Sequence, residues 1–144
     1  MKRPCDTSLP EQRPEPLVFY IDECLGKGVG VALKSAGEGV RFYGEEIPRG
    51  TGDPDLLAMI GRKKWIFLTK DKRIRFHPAE RSALLKAGVK AFVLTSGNLT
   101  GAEMASIFVR NLRRMKDMAG QVQGPFIAKV SKTGVEIYQG VSAA

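Results

Sequence analysis

The sequence predicts an α/β protein with a mainly parallel central sheet. Two observations carry that prediction. Short apolar runs alternate along the chain with segments of helical periodicity, the order that right-handed strand–helix–strand crossovers produce. The run Trp65-Ile66-Phe67-Leu68 is apolar without alternation, which suits a strand buried on both faces of a parallel sheet. Thr69 and Asp71 follow directly, so they fall at the carboxyl end of a central strand, the edge where open α/β sheets bind their ligands.

Taken in order, Met1 to Pro16 holds four prolines and no periodicity, and reads as a loose tail. Leu17 to Ile21 is the first strand, ending in Asp22-Glu23. Leu25, Val29, Ala32, Leu33 and Ala36 recur at helical spacing and Gly37 is a natural stop, although Gly26, Gly28 and Gly30 weaken the start of that helix. Gly26-Lys27-Gly28 lacks both the dinucleotide fingerprint and the P-loop ending. Gly39 to Tyr43 is a second, shorter strand, followed by Glu45-Glu46 and a loop ending in Gly50-Thr51-Gly52. Asp53-Pro54-Asp55 opens a helix through Leu56, Leu57 and Ile60 that closes at Gly61.

The third strand is Trp65 to Leu68. A helix begins at His77-Pro78-Ala79-Glu80, with Leu84 and Leu85 on its apolar side and Gly88 past its end. Lys90 to Leu94 is the fourth strand. Thr100 and Glu103 form a capping box for the longest helix, whose apolar positions Met104, Ile107, Phe108, Leu112 and Met115 share one face. Arg110, Arg113, Arg114 and Lys116 fall in its later turns, where the helix dipole favours cations. Phe126 to Val130 and Val135 to Tyr138 flank Ser131-Lys132-Thr133-Gly134 as a hairpin, which extends the sheet or meets a second subunit. The expected organisation is a tail over 1–16, one α/β domain over 17–119 and a hairpin extension over 120–144.

A chain of 144 residues is long enough to bury a core without disulfides or structural metals. No apolar run spans a bilayer, and the polar N-terminus is not a signal peptide. Cys5 and Cys24 make neither a disulfide framework nor a metal-ligand spacing, so a reducing cytoplasm is the expected compartment. Charge is more informative. The 23 Lys and Arg against 15 Asp and Glu leave a net +8, and Gly61 to Lys86 carries nine cations against Asp71 and Glu80 alone. That is either a solvated basic face or the footprint of a polyanion, with nucleic acid the leading candidate.

Acids of the same region decide how that charge is read. Asp22 ends the first strand, Asp71 follows the third, and Asp53 starts the helix leading into the third. Each has an ordinary role taken singly: Asp53 before Pro54 is a good helix cap, Asp22 can cap the next helix, and Asp71 can be a turn residue. Three of them at one sheet edge are harder to explain that way. Clustered carboxylates raise one another's pKa, and a divalent cation removes the conflict. With one histidine in the chain and only oxygen ligands in the cluster, Mg²⁺ or Mn²⁺ is expected rather than zinc. Such an ion can polarise a phosphodiester and activate water, while a basic surface beside it holds the nucleic-acid backbone.

Tyr20-Ile21-Asp22-Glu23-Cys24-Leu25, Gly52-Asp53-Pro54-Asp55 and Phe67-Leu68-Thr69-Lys70-Asp71-Lys72, with His77-Pro78-Ala79-Glu80-Arg81 beyond, resemble the PIN-like domains and within them the VapC-type toxin-like proteins. The resemblance covers roughly Val18 to Leu94. It implies a Rossmann-like three-layer α/β/α sandwich and metal-dependent ribonuclease activity. It implies that Asp22, Asp53 and Asp71 hold Mg²⁺ or Mn²⁺ and position water, with Thr69 supporting them through its hydroxyl and Glu23 and Asp55 as further acids. It also implies an RNA substrate, a cognate antitoxin protein and a homodimer. Lys70, Lys72, Arg73 and Arg75 are the expected phosphate contacts. Many PIN domains carry a fourth acid after Thr-x-Asp; here Lys72-Arg73-Ile74-Arg75 follows, and the next acid is Glu80. The leading expectation is a toxin-type endoribonuclease. The rivals are a non-catalytic RNA- or partner-binding module of the same fold and a Mg²⁺-dependent phosphohydrolase.

Overall fold

The structure, a computed structural model, describes residues 17–42 and 53–140, the side chains at 53, 54, 75, 139 and 140 excepted. The expected tail and the Glu45-Glu46 loop lie outside the described residues. Six strands form one sheet: β1 (Val18–Ile21), β2 (Gly39–Phe42), β3 (Ile66–Thr69), β4 (Lys90–Leu94), β5 (Phe126–Ser131) and β6 (Gly134–Gly140). Their order is β2-β1-β3-β4-β5-β6. The first five strands run parallel, and only β6 turns back antiparallel to β5. The hairpin therefore continues the sheet through β5.

Helices cover both faces, giving the three-layer α/β/α sandwich. On one face α1 (Lys27–Ser35), α5 (Gly101–Arg110) and α6 (Leu112–Gln121) pack through Val29, Leu33, Ile107, Phe108 and Met115. On the other lie α2 (Asp53–Lys63), the short α3 (Lys72–Phe76) and α4 (Pro78–Lys86), which contribute Leu56, Ile60, Ile74 and Leu84. Strand β3 alternates between the two cores: Ile66 and Leu68 enter the first, Trp65 and Phe67 the second. This two-sided burial is why the run from Trp65 to Leu68 shows no polar positions.

Local signals place several boundaries as expected. Gly37 ends α1 with φ of 95°, a conformation that a side chain disfavours. The capping box forms: the Thr100 backbone N–H donates to Glu103 Oε1 at 2.8 Å, and the Glu103 N–H donates to Thr100 Oγ1 at 3.1 Å. Other boundaries differ. Helix α2 does not close at Gly61 but runs to Lys63, and Lys64 takes the positive φ of 58° that ends it. Gly61 serves packing instead, since a Cβ there would overlap the carbonyl oxygen of Ala87 at the end of α4. The first helix is preceded by a separate 3-10 turn at Glu23–Leu25, divided from α1 by Gly26. Thr69 is the last residue of β3 rather than the first after it.

The largest departure is in the long helix, which breaks at Asn111 into α5 and α6. Asn111 is buried, and its side-chain amide donates to the Ile107 carbonyl at 2.9 Å and to the Ser131 carbonyl at 3.0 Å. One amide thereby serves the last turn of α5 and the end of β5 together. The apolar stripe continues across the break, which hides it from periodicity. No helix among the described residues is long and apolar enough to cross a membrane.

Candidate active site

The strand order reverses at β1, so the connection after β1 leaves to one face and the connection after β3 to the other. A crevice opens between their carboxyl ends. Ile21 pairs in register with Leu68, and the Asp22 backbone N–H donates to the Leu68 carbonyl at 3.0 Å. Asp22 is thus held beside Thr69. Its Oδ1 accepts the Glu23 N–H at 2.8 Å, capping the 3-10 turn. Its Oδ2 accepts the Thr69 hydroxyl at 2.6 Å, and that hydroxyl in turn accepts the Asp71 N–H at 3.1 Å. Thr69 is fully buried, so an unmatched hydroxyl there would be costly. Both of its hydrogen-bonding roles are filled, and together they tie the two acids.

Asp71 caps α3 by accepting the Arg73 N–H at 2.9 Å. The Arg73 guanidinium also returns to the same carboxylate, with Nη2 at 2.7 Å from Oδ2 and Nε at 3.1 Å from it. Chiefly through these side-chain bonds, Arg73 holds the Asp71 carboxyl below its ordinary value of 3.8, against the opposing effect of burial, with His77 adding a smaller pull. The sign for stability follows. A carboxyl depressed in the folded chain contributes stability that is present above its unfolded pKa and lost as pH falls through the folded one. In metal-free protein, Asp71→Asn is expected to flatten the decline of thermal midpoint below about pH 4, the unfolded carboxylate range. An unchanged acid limb in scanning calorimetry would contradict this.

A small cavity of about 60 Å³ opens at this point, with Asp22, Asp71, Arg73 and Glu80 on its polar side and Leu56, Phe67, Ile74 and Leu84 among its apolar walls. Of the expected site residues, the fold brings Asp22, Thr69 and Asp71 together. Glu23 and Asp55 are exposed and do not line the cavity. The side chains of Asp53 and Arg75 lie outside the described residues. Lys70 and Lys72 are exposed, and Arg73 is engaged by Asp71.

Two residues acquire a place that the sequence did not assign. Glu80, on α4, shares the cavity with Asp22 and Asp71; its only signal was being the next acid after Thr-x-Asp. Cys24 is exposed as a residue, yet its sulfur is tucked against the site. The thiol donates to Asp22 Oδ2 at 3.2 Å, lies 3.4 Å from Thr69 Oγ1 and accepts the Lys70 N–H at 3.4 Å. Burial pushes this thiol up, Thr69 and the Lys70 N–H oppose that rise, and the Asp22 charge adds to it, so Cys24 is a protonated donor rather than a nucleophile. Its signal was adjacency to Asp22 in the turn.

The carboxylates that line the cavity, Asp22, Asp71 and Glu80, offer oxygen donors of the kind a hard divalent cation takes. Among the described residues, no three His, Cys, Asp or Glu side chains form a group that could hold a metal ion. What they supply is the Asp22–Asp71 pair.

The model of the family described as "PIN like domain" matches residues 17–96, more than half of the chain and both strand ends of the site. The protein named "Putative ribonuclease VapC45" from Mycobacterium tuberculosis (strain ATCC 25618 / H37Rv) is 28% identical over 117 residues, covering 78% of this chain and 84% of its own length. No solved structure matches the chain. The chain belongs to the PIN-like domain family.

Proposed function

We propose that this protein is a Mg²⁺- or Mn²⁺-dependent endoribonuclease of the cytoplasm, the toxin of a toxin–antitoxin pair whose partner protein covers the acidic cavity. The observation that carries the reading is the Asp22–Thr69–Asp71 arrangement at the switch point of the sheet. Family membership and the relative named as a ribonuclease support it. Asp22 and Asp71 hold the ion, with Asp53 from the start of α2 and Glu80 from α4 as the remaining carboxylates. When bound, the ion would act as a Lewis acid toward the phosphodiester and would lower the pKa of bound water. Thr69 keeps Asp22 oriented, and the apolar wall of Phe67, Ile74 and Leu84 limits solvent. Lys70, Lys72, Arg73 and Arg75 would take the RNA phosphates.

The test is cleavage of a labelled single-stranded RNA by chain stripped with EDTA, then supplied with Mg²⁺ or Mn²⁺. Cleavage is expected only after metal is restored; equal cleavage in EDTA would remove metal dependence. One observation favours a second reading. Arg73 already neutralises Asp71, which suits a module that binds RNA or a protein and cuts nothing. Salt-sensitive RNA binding without cleavage at saturating Mn²⁺ would select it.

A further inference from the structure

The break at Asn111 changes the meaning of two cations. In one continuous helix, Arg113 and Arg114 would sit near a C-terminus, where the dipole favours them. In the structure they fall in the first turn of α6, where it does not. Arg114 is exposed and has no hydrogen-bond or ion-pair partner among the described residues. It lies against the β5–β6 turn: a Cβ on Gly134 would sit 2.9 Å from Arg114 Nη1. It borders an open, polar cleft of about 340 Å³ that Thr95, Lys129, Ser131, Thr133 and Glu136 also line.

The cleft stands on the same edge of the sheet as the acidic cavity. Strands β3, β4 and β5 are parallel, so the ends at Thr69, Leu94 and Ser131 share that edge. The Thr95 N–H donates to the Val130 carbonyl at 3.0 Å and keeps the β4 and β5 ends level. Two strand spacings separate β3 from β5, about 10 Å. Arg114 arrives from the helix layer on one face. Lys129 follows Ile127 by two residues and therefore projects from the other. Between them Ser131 Oγ and Thr133 Oγ1 lie 3.0 Å apart at the turn. Lys129 shares part of its charge with Glu136 at 3.5 Å, leaving two cations against one exposed carboxylate.

Resting on the ribonuclease reading, we infer that this cleft is a second backbone-binding subsite, in which Arg114, Lys129 and the Ser131 and Thr133 hydroxyls hold a phosphodiester of the RNA a few nucleotides from the one at the acidic cavity. A guanidinium fork flanked by hydroxyls matches phosphate oxygens, and nothing in the cleft reads a base. The strand then runs along the carboxyl edge from β3 to the β5–β6 turn. The hairpin thereby gains a role in binding substrate.

The experiment is fluorescence anisotropy of a labelled oligouridylate with the whole chain, in EDTA to prevent cleavage, across a salt series. Arg114→Gln is expected to weaken binding about tenfold, the scale of a charge-assisted phosphate contact. It should also make the slope of log affinity against log salt shallower by about 0.7, the single-strand value for one phosphate contact. Glu136→Gln should tighten binding about twofold, a gain that a merely structural role for the turn does not produce. Unchanged affinity and slope in Arg114→Gln, or weaker binding in Glu136→Gln, overturns the subsite even if metal-dependent cleavage is normal. An intact Arg114 effect in a chain that never cuts RNA overturns the nuclease reading and leaves the subsite standing. If Arg114→Gln spares RNA binding but stops capture of an acidic peptide, the cleft serves a protein and the RNA assignment is wrong.

Discussion

Asp22→Asn is expected to lower metal-dependent RNA cleavage about a thousandfold while leaving the chain folded. The magnitude comes from losing a charged ligand of an ion whose Lewis-acid contribution is several kcal/mol, at about 1.4 kcal/mol per tenfold in rate. The fold should survive because asparagine keeps the volume and one acceptor oxygen. That oxygen can still take the Glu23 N–H at the 3-10 turn. The cap loses at most about 1 kcal/mol on such a change, and the Thr69 hydroxyl, facing an amide nitrogen in place of Oδ2, loses its acceptor, a cost of about 1–2 kcal/mol. Two measurements separate the effects: calorimetric Mn²⁺ binding should weaken strongly, and the thermal midpoint should fall by several degrees. Cleavage at the parental rate would remove Asp22 from the site, and unfolding would show a structural role alone.

Thr69→Val should have the next largest effect, acting through Asp22 and Asp71 rather than on substrate. Valine matches threonine in shape, so packing around this fully buried position is kept. The bond donated to Asp22 and the acceptor of the Asp71 N–H are both lost. Hydrogen bonds to charged groups contribute about 1.5–3 kcal/mol, partly offset here because valine is cheaper to bury, so a net loss of about 1–2 kcal/mol is expected in denaturant unfolding. Partners that orient a metal ligand are worth about 10–100-fold in metal affinity or activity. Thr69→Ser is the control. It restores the hydroxyl, loses one methyl and should recover most of the cleavage. Failure of serine to rescue would assign the valine effect to repacking.

Both results depend on how much of the site is local in sequence. The fold class was legible because burial on both faces leaves a mark within four residues, as Ile66 to Thr69 show. Asp22 and Asp71 were legible as strand-end acids for the same reason. The break at Asn111 was not, because the apolar stripe of α5 continues into α6, and the cause is an amide bonded to a strand 20 residues away. Helix α3 was too short for a period to register. Arg73 read as free positive charge because nothing in Asp71-Lys72-Arg73 fixes where a long guanidinium goes; the cap at Asp71 turns it back.

The sequence by itself determined the alternating α/β plan, the cap at Thr100, and which acids stand at strand ends, since these depend on neighbours within a turn or a pleat. Tertiary structure decided which of them meet. Asp22 and Thr69 are 47 residues apart, and only the adjacency of β1 and β3 puts a hydroxyl on a carboxylate. Glu80 and Cys24 reached the site, and Arg114 the β5–β6 turn, by the same route. Strand order and helix placement are set by the summed burial of two cores, a property of the whole chain that no short window of sequence contains.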